Sequence, residues 1–150
     1  MRVITKKNKN GEILEIKKYN DKNKLVYEKT LFHECIFEYD ENGNEIYCEN
    51  LMSGYKRWSE YNNFGKLTHY INTYCNETWN EYVENGNLIH TKSSSGTKFE
   101  SWMEYDKNNN MIHIKYKDGH ENFWKYDEQN RLIFYKEYTG LEYHYEYSEE

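Results

Sequence analysis

Apolar and polar residues alternate along this chain in short runs that restart at a nearly constant interval. A tyrosine recurs as Tyr19, Tyr39, Tyr61, Tyr82, Tyr105, Tyr126 and Tyr147, at spacings of 20, 22, 21, 23, 21 and 21 residues, the mark of a repeat architecture. Four residues after each of the first six stands Asn23, Gly43, Gly65, Gly86, Asn109 or Asn130, types that tolerate a positive φ. In Tyr39-Asp-Glu-Asn-Gly-Asn44 the pattern predicts a type I turn closed by Gly43 in the left-handed region, a three-residue hairpin loop.

Other columns keep step with the tyrosine. Six residues after it come Leu25, Glu45, Leu67, Leu88, Met111 and Leu132, followed by Val26, Ile46, Thr68, Ile89, Ile112 and Ile133; this is the outgoing strand. Three residues before the tyrosine lie Ile16, Ile36, Trp58, Trp79, Trp102, Phe123 and finally His144; one before it stand Glu38, Glu60, Glu81, Glu104 and Glu146, with Lys18 and Lys125 as exceptions. Far turns fall at Ser53-Gly54, Ser94-Ser95-Gly96, Asp118-Gly119 and Thr139-Gly140. With a three-residue loop, Tyr39 should face residue 45 and Ile36 residue 48, so one face carries the Tyr and Leu columns and the other the Trp, Ile and Glu columns. The prediction is all-β: about six hairpins, some twelve strands, in one twisted, coiled or partly closed antiparallel meander. Residues 1–150 form a single repeat domain, with 1–18 as an N-terminal cap, 19–146 as six hairpin repeats and 147–150 as a tail.

Composition sharpens this picture. The chain of 150 residues has no Ala and no Pro, while 17 Tyr and four Trp supply the apolar area that few Leu, Ile, Val and Phe provide. Residues 1–30 hold nine Lys/Arg against four Asp/Glu, and the rest eleven against twenty-two. An acidic body repels phosphate backbones, which argues against direct nucleic-acid binding by it; the basic start Arg2, Lys6, Lys7 and Lys9 is expected as a solvated strand or frayed end. No apolar run suits a membrane span or a secretory signal, and Cys35, Cys48 and Cys75 lack paired spacing. A soluble cytoplasmic protein with reduced thiols is expected.

The unit Tyr-Asp-x-x-Gly-x-Leu, best seen in YDENGNEI, YVENGNLI, YDKNNNMI and YDEQNRLI, resembles the YD or RHS repeat of bacterial polymorphic toxins over roughly residues 19–147. The chain departs from it at Asn20, Asn62 and Val83 in place of Asp and at Asn23, Asn109 and Asn130 in place of Gly. Such a short degenerate array also resembles small antitoxin or immunity proteins found beside those toxins. In large members the repeats resemble a wall coiled around a cargo; six units are too few for that, so the resemblance implies a stand-alone array that presents a surface.

Candidate chemistry is sparse. His69, His90 and His113 share a column with Tyr27, Tyr47 and Phe134. Equivalent positions lie two strands apart, ~9–10 Å, too far for three to share a metal whose nitrogens sit ~2.0–2.1 Å away, so aromatic stacking is expected. Asp40, Asn42 and Asn44 imitate a calcium loop, yet Glu45 stands where Gly is required and Leu51 where a bidentate Glu belongs, which makes them turn residues. His33-Glu34-Cys35 points to opposite faces and reads as a buried or half-buried thiol. Phosphate-loop, HExxH, CxxC and GxSxG motifs are missing, and a Glu column repeated in each unit reads as structure rather than as an acid–base pair. No catalytic residue, metal or cofactor is expected.

What remains is an aromatic stripe, Trp58, Trp79 and Trp102, beside Glu60, Glu81 and Glu104, with Trp124 one position out of step. The stripe is either the inner core or an outward partner-binding face; the Glu neighbours argue against full burial. Outward, these seven residues predict a non-enzymatic protein-binding inhibitor, an immunity or antitoxin-like protein that neutralises a basic toxin or nuclease. A phage-encoded anti-CRISPR or anti-defence inhibitor of a nucleic-acid-guided nuclease uses the same physics, and a carbohydrate-binding repeat module is the alternative of another class.

Overall fold

The computed structural model describes residues 1–94 and 99–148, which form strands β1 (Arg2–Lys7), β2 (Ile13–Tyr19), β3 (Leu25–Thr30), β4 (Glu34–Tyr39), β5 (Glu45–Asn50), β6 (Tyr55–Tyr61), β7 (Leu67–Asn72), β8 (Glu77–Tyr82), β9 (Leu88–Ser93), β10 (Phe99–Tyr105), β11 (Met111–Tyr116), β12 (Glu121–Tyr126), β13 (Leu132–Lys136) and β14 (Glu142–His144). They succeed one another in a single antiparallel sheet in chain order, the meander of hairpins that the repeat predicts. The two strands beyond twelve are β1 and β2, which pair with each other and form almost wholly within the residues read as a cap. Among the described residues no helix is long and apolar enough to cross a membrane. Two compact units make up the chain, Met1–Glu77 and Thr78–Glu150.

All six predicted turns form. Asn23, Gly43, Gly65, Gly86, Asn109 and Asn130 have φ between 59° and 88°, and each loop closes with the same two backbone bonds, as where Asp40 N–H donates to Asn44 (3.0 Å) and Gly43 N–H to Asp40 (3.1 Å). The Asp or Asn that opens the loop adds a third bond, its Oδ1 accepting the N–H four residues on, at Asn20, Asp40, Asn62, Asp106 and Asp127. At two of the three loops where Asn replaces Gly, its side chain also ties one loop to the next: Asn109 Oδ1 accepts from Asn85 and Asn87, and Asn130 Oδ1 from Asn108 and Asn110. The same loop recurs at the far end with Gly11, Gly119, Gly140 and, unforeseen, Cys75 (φ 57°) in the left-handed position. The predicted turn at Ser94-Ser95-Gly96 falls on Ser95 and Gly96, outside the described residues, as do the last two residues of the tail. Gly86→Val should cost about 1–2 kcal/mol, because a β-branched residue resists φ 88°; Gly86→Asn should stay near wild type. Urea unfolding of both variants checks this, and equal stability of the two would sink the turn argument.

The register differs from the expectation in one respect. Tyr39 faces Glu45 as predicted, but Ile36 faces Glu49, and Cys48 faces Phe37. A β-bulge follows the residue before each repeat tyrosine in β2, β4, β6, β8, β10 and β12, so Glu38 pairs with Tyr47 and Ile46 is passed over. The left-handed loop residue imposes this bulge, since a three-residue hairpin loop ends in one.

The tyrosine column earns its place through its hydroxyl. Tyr39, Tyr61, Tyr105 and Tyr147 donate to the carbonyls of Leu25, Glu45, Leu88 and Leu132, each in the preceding hairpin, at 2.9–3.1 Å. A bond of this kind contributes ~0.5–1.5 kcal/mol and tells tyrosine from phenylalanine at the position. Burial raises the pKa of Tyr39 and Tyr105 above the ordinary phenol value.

The buried residues lie on the face that carries the tyrosines. In Met1–Glu77 they are Ser59 and Asn72; Asn72 donates to the Tyr70 hydroxyl, which meets that of Tyr55, and Arg57 pairs with Glu45. Among the described residues of Thr78–Glu150 they are Ser101 and Met103, with Thr91, bonded to Asn80, and Tyr116 across from Ser101; the rings of Trp124, Tyr135 and Tyr143 stack further along the same face.

Candidate partner-binding face

On the opposite face the bulge sets the residue before each tyrosine across from the residue eight after it. Where the first is Glu60, Glu81 or Glu104, the second is His69, His90 or His113. Where it is Lys18 or Lys125, the second is Tyr27 or Phe134, and the ammonium lies 4.6 or 5.0 Å from the ring centre. The two columns thus match in chemistry at these five pairs, as cross-strand neighbours should, while Glu38 faces Tyr47.

Each of the three imidazoles also reaches a second carboxylate, five residues before the next tyrosine. His69 lies 3.5 Å from Glu60 and 2.8 Å from Glu77; His90 lies 3.2 Å from both Glu81 and Glu100; His113 lies 3.4 Å from Glu104 and 3.3 Å from Glu121. The expected stacking is present: His90 lies parallel to Trp102 at 5.2 Å and His113 to Phe123 at 4.4 Å, while Tyr47 tilts against Trp58 at 5.6 Å. A carboxylate stands within reach of each ring nitrogen, so the column is a set of repeated Glu–His–Glu bridges. The second glutamate escaped the sequence reading, although Glu34, Glu77, Glu100, Glu121 and Glu142 recur at a fixed offset.

That second column is matched by its own partner. Lys29 pairs with Glu34, Lys115 with Glu121 and Lys136 with Glu142 at 2.7–3.3 Å; where Lys56 takes the glutamate position, Glu49 takes the lysine position, and the pair is kept at 3.2 Å with its charges exchanged. Exposed pairs of this sort stabilise little, but they cancel charge. Glu60 in the first unit and Glu81 and Glu104 in the second pair only with imidazoles, and their side chains are 73%, 67% and 69% exposed.

The predicted site residues distribute accordingly. Trp58 and Glu60 stand together in Met1–Glu77; Trp79, Glu81, Trp102 and Glu104 stand on the same face in Thr78–Glu150, with the Lys92 ammonium 5.5 Å from the Trp79 ring. Trp58 and Trp102 are 42% and 40% exposed. Trp124, one position later in its strand, points the other way by the alternation of the pleat and stacks on Tyr135 at 5.5 Å, away from the stripe.

The remaining candidates take structural roles. Asp40 accepts both the backbone and the side-chain N–H of Asn44. His33 is held by Glu28 and Thr30, Glu34 by Lys29 and Tyr27, and burial pushes the Cys35 thiol up. Asn44 holds the Asp40 carboxyl below its ordinary value, as Asn110 does for Asp106, Lys117 for Glu100 and Lys115 for Glu121. Carboxyls depressed by folding contribute stability that is fully present above their unfolded values and lost as pH falls through the folded ones. The melting temperature should therefore decline as pH drops below about 4, where unfolded Asp and Glu take up protons. A melting temperature that rises on acidification from pH 5 to pH 3 would contradict these pairings.

No family model matches the chain, and no curated protein does. Solved structures do. The TcdB2–TccC3–Cdc42 crystal structure superposes with a TM-score of 0.68 at 20% identity over 84% of this chain, and TcdB2–TccC3 with 0.67 at 18% over 84%. The Tc holotoxin pore of Photorhabdus luminescens gives 0.63 at 12% over 89%. The chain spans 7–9% of the length of these neighbours. It is similar in fold to Tc toxin proteins of the YD/RHS-repeat kind.

Proposed function

We propose that this chain is a non-enzymatic binding protein of the immunity or antitoxin kind, acting in the cytoplasm, that neutralises a basic protein such as a toxin or nuclease through the open Glu–Trp face. The observation that carries the reading is the exposure of Glu60, Glu81 and Glu104 beside half-exposed indoles, while Glu34, Glu121 and Glu142 of that face are paired with lysines. Fixed carboxylates of one sign next to aromatic anchors suit a cationic protein surface: the charges speed encounter and the rings supply area once docked. Catalysis is the weaker reading because the carboxylates of the bridges are engaged by imidazole and recur alike, whereas an acid–base pair needs two environments that differ. The acidic face favours neither nucleic acid nor an anionic membrane as a direct ligand.

The test uses the tagged full chain as bait in its native lysate, washed at low and then raised salt. One basic protein retained in equal amount and released as salt rises is the expected result, since exposed charges are screened beyond a Debye length of ~8 Å at physiological salt. A retained partner that is acidic, or indifferent to salt, would overturn the acidic-face reading.

A further inference from the structure

Glu38 breaks the pairing of columns in the first unit. At the same repeat position Lys18 and Lys125 lay an ammonium over the ring across from them, 4.6 Å from the centre of Tyr27 and 5.0 Å from that of Phe134, and Glu60 lies against the imidazole of His69. Across from Glu38 stands a ring, Tyr47, yet Glu38 is itself acidic and exposed, and its carboxylate has no hydrogen-bond or ion-pair partner among the described residues. A hollow of about 500 Å³ opens around this pair, lined by Ile36, Glu38, Ile46, Tyr47, Glu49 and Trp58, within the size range of ligand sites. Strands β4, β5 and β6 build it on one face of the sheet: Ile36 faces Glu49, Glu38 faces Tyr47 and Tyr47 faces Trp58. The Tyr47 ring is held by its hydroxyl, which donates to Glu49 at 2.6 Å, and it tilts against Trp58 at 5.6 Å. Glu49 is answered again by Lys56 at 3.2 Å, so Glu38 is the carboxylate of the hollow left open.

We propose that this hollow is a socket for a lysine side chain of the basic partner, an inference that rests on the Glu–Trp face being the interface. Lys18 and Lys125 show what the repeat position accepts: an ammonium over the facing aromatic ring, where the negative face of the π-system attracts it. The entering lysine sets its ammonium between the Tyr47 ring and the Glu38 carboxylate, to which it donates a charge-assisted hydrogen bond. Its alkyl stem runs over Ile36 and Ile46, and the half-exposed indole of Trp58 borders the other side. The charge of the hollow rejects other classes of ligand. An anion meets Glu38 and Glu49, and a neutral molecule strips water from the Glu38 carboxylate without giving it a partner.

Heteronuclear NMR on the full chain at low salt tests the socket, with N-acetyl-lysine methylamide as probe and N-acetyl-norleucine methylamide, which lacks the ammonium, as control. The chain has four tryptophans, and Trp58→Phe assigns the Trp58 indole N–H among their signals. The expected result is a saturable shift of that signal by the lysine probe, with a dissociation constant on the order of 10 mM, and none by the norleucine control. Glu38→Gln should weaken binding about fivefold or more, and Glu38→Lys should abolish it by placing the chain's own ammonium over Tyr47. The fold accepts lysine at this position, as at Lys18 and Lys125, and far-ultraviolet dichroism checks that both variants fold. An equal response to norleucine, a response confined to the other indoles, no response up to about 100 mM, or undiminished binding by Glu38→Lys would each overturn the socket. The wider reading stands or falls apart from it: a captured basic partner that salt releases, but that Glu38→Lys holds as tightly as wild type does, overturns the socket and leaves the acidic face in place.

Discussion

Ser101→Leu will destabilise the protein by about 1–3 kcal/mol, the cost of forcing extra methylenes into a packed site. Ser101 is 1% exposed, the most buried side chain among the described residues. It sits in β10 with Thr91 across from it on one side and Tyr116 on the other, and with Phe99 and Met103 two residues away along the same face. A leucine there has to displace a ring or a strand. At ~2–4 °C per kcal/mol for a chain of this size, the melting temperature should fall by several degrees. Ser101→Ala separates volume from hydrogen bonding: it keeps the site small and should stay well above the leucine variant. If alanine proves as damaging as leucine, the packing argument fails and the hydroxyl carries the site.

The location of this packed side marks the boundary between what the residues reveal by spacing and what they do not. The hairpins were legible because a loop of fixed length needs a left-handed residue at one place, and Gly or Asn stands there six times. Stacking of His90 and His113 was legible because Tyr and Phe fill their column elsewhere. The bulge was not, although the loop type implies it; counting straight across the hairpin put Ile36 opposite Cys48 instead of Glu49. Following the bulge brings Glu60 opposite His69 and exposes the pairing of columns that the face is built on. Nor could spacing say which face packs. The Trp stripe was open to either reading, core or outward, and it is Ser59 and Ser101 that are buried while Trp58 and Trp102 stand half in solvent. The tyrosine hydroxyls that bond carbonyls of the preceding hairpin fall on the side where Ser59 and Ser101 are buried, and spacing alone does not mark that side.

Glu60→Lys, Glu81→Lys and Glu104→Lys combined should weaken binding to a basic partner by about 100-fold or more, since like charges facing each other across an interface cost several kcal/mol. The fold itself should bear the change. Lysine already occupies the same repeat position at Lys18 and Lys125, where it lies over Tyr27 and Phe134, and the three imidazoles keep their second carboxylates, Glu77, Glu100 and Glu121. Each reversal adds two units of charge, so the triple variant takes the formal net charge from −6 to zero and loses the long-range attraction as well as the local contacts. The loss should fall mainly on the association rate and shrink at high salt, where the wild type is itself screened. Replacing the same three by Gln takes away the attraction without adding repulsion and should give an intermediate affinity. Stopped-flow association of wild type and both variants with the captured partner, alongside far-ultraviolet dichroism, measures this. Unchanged rates in the lysine variant would remove the carboxylate row from the interface and leave the indoles of Trp58, Trp79 and Trp102 as the anchors to test next.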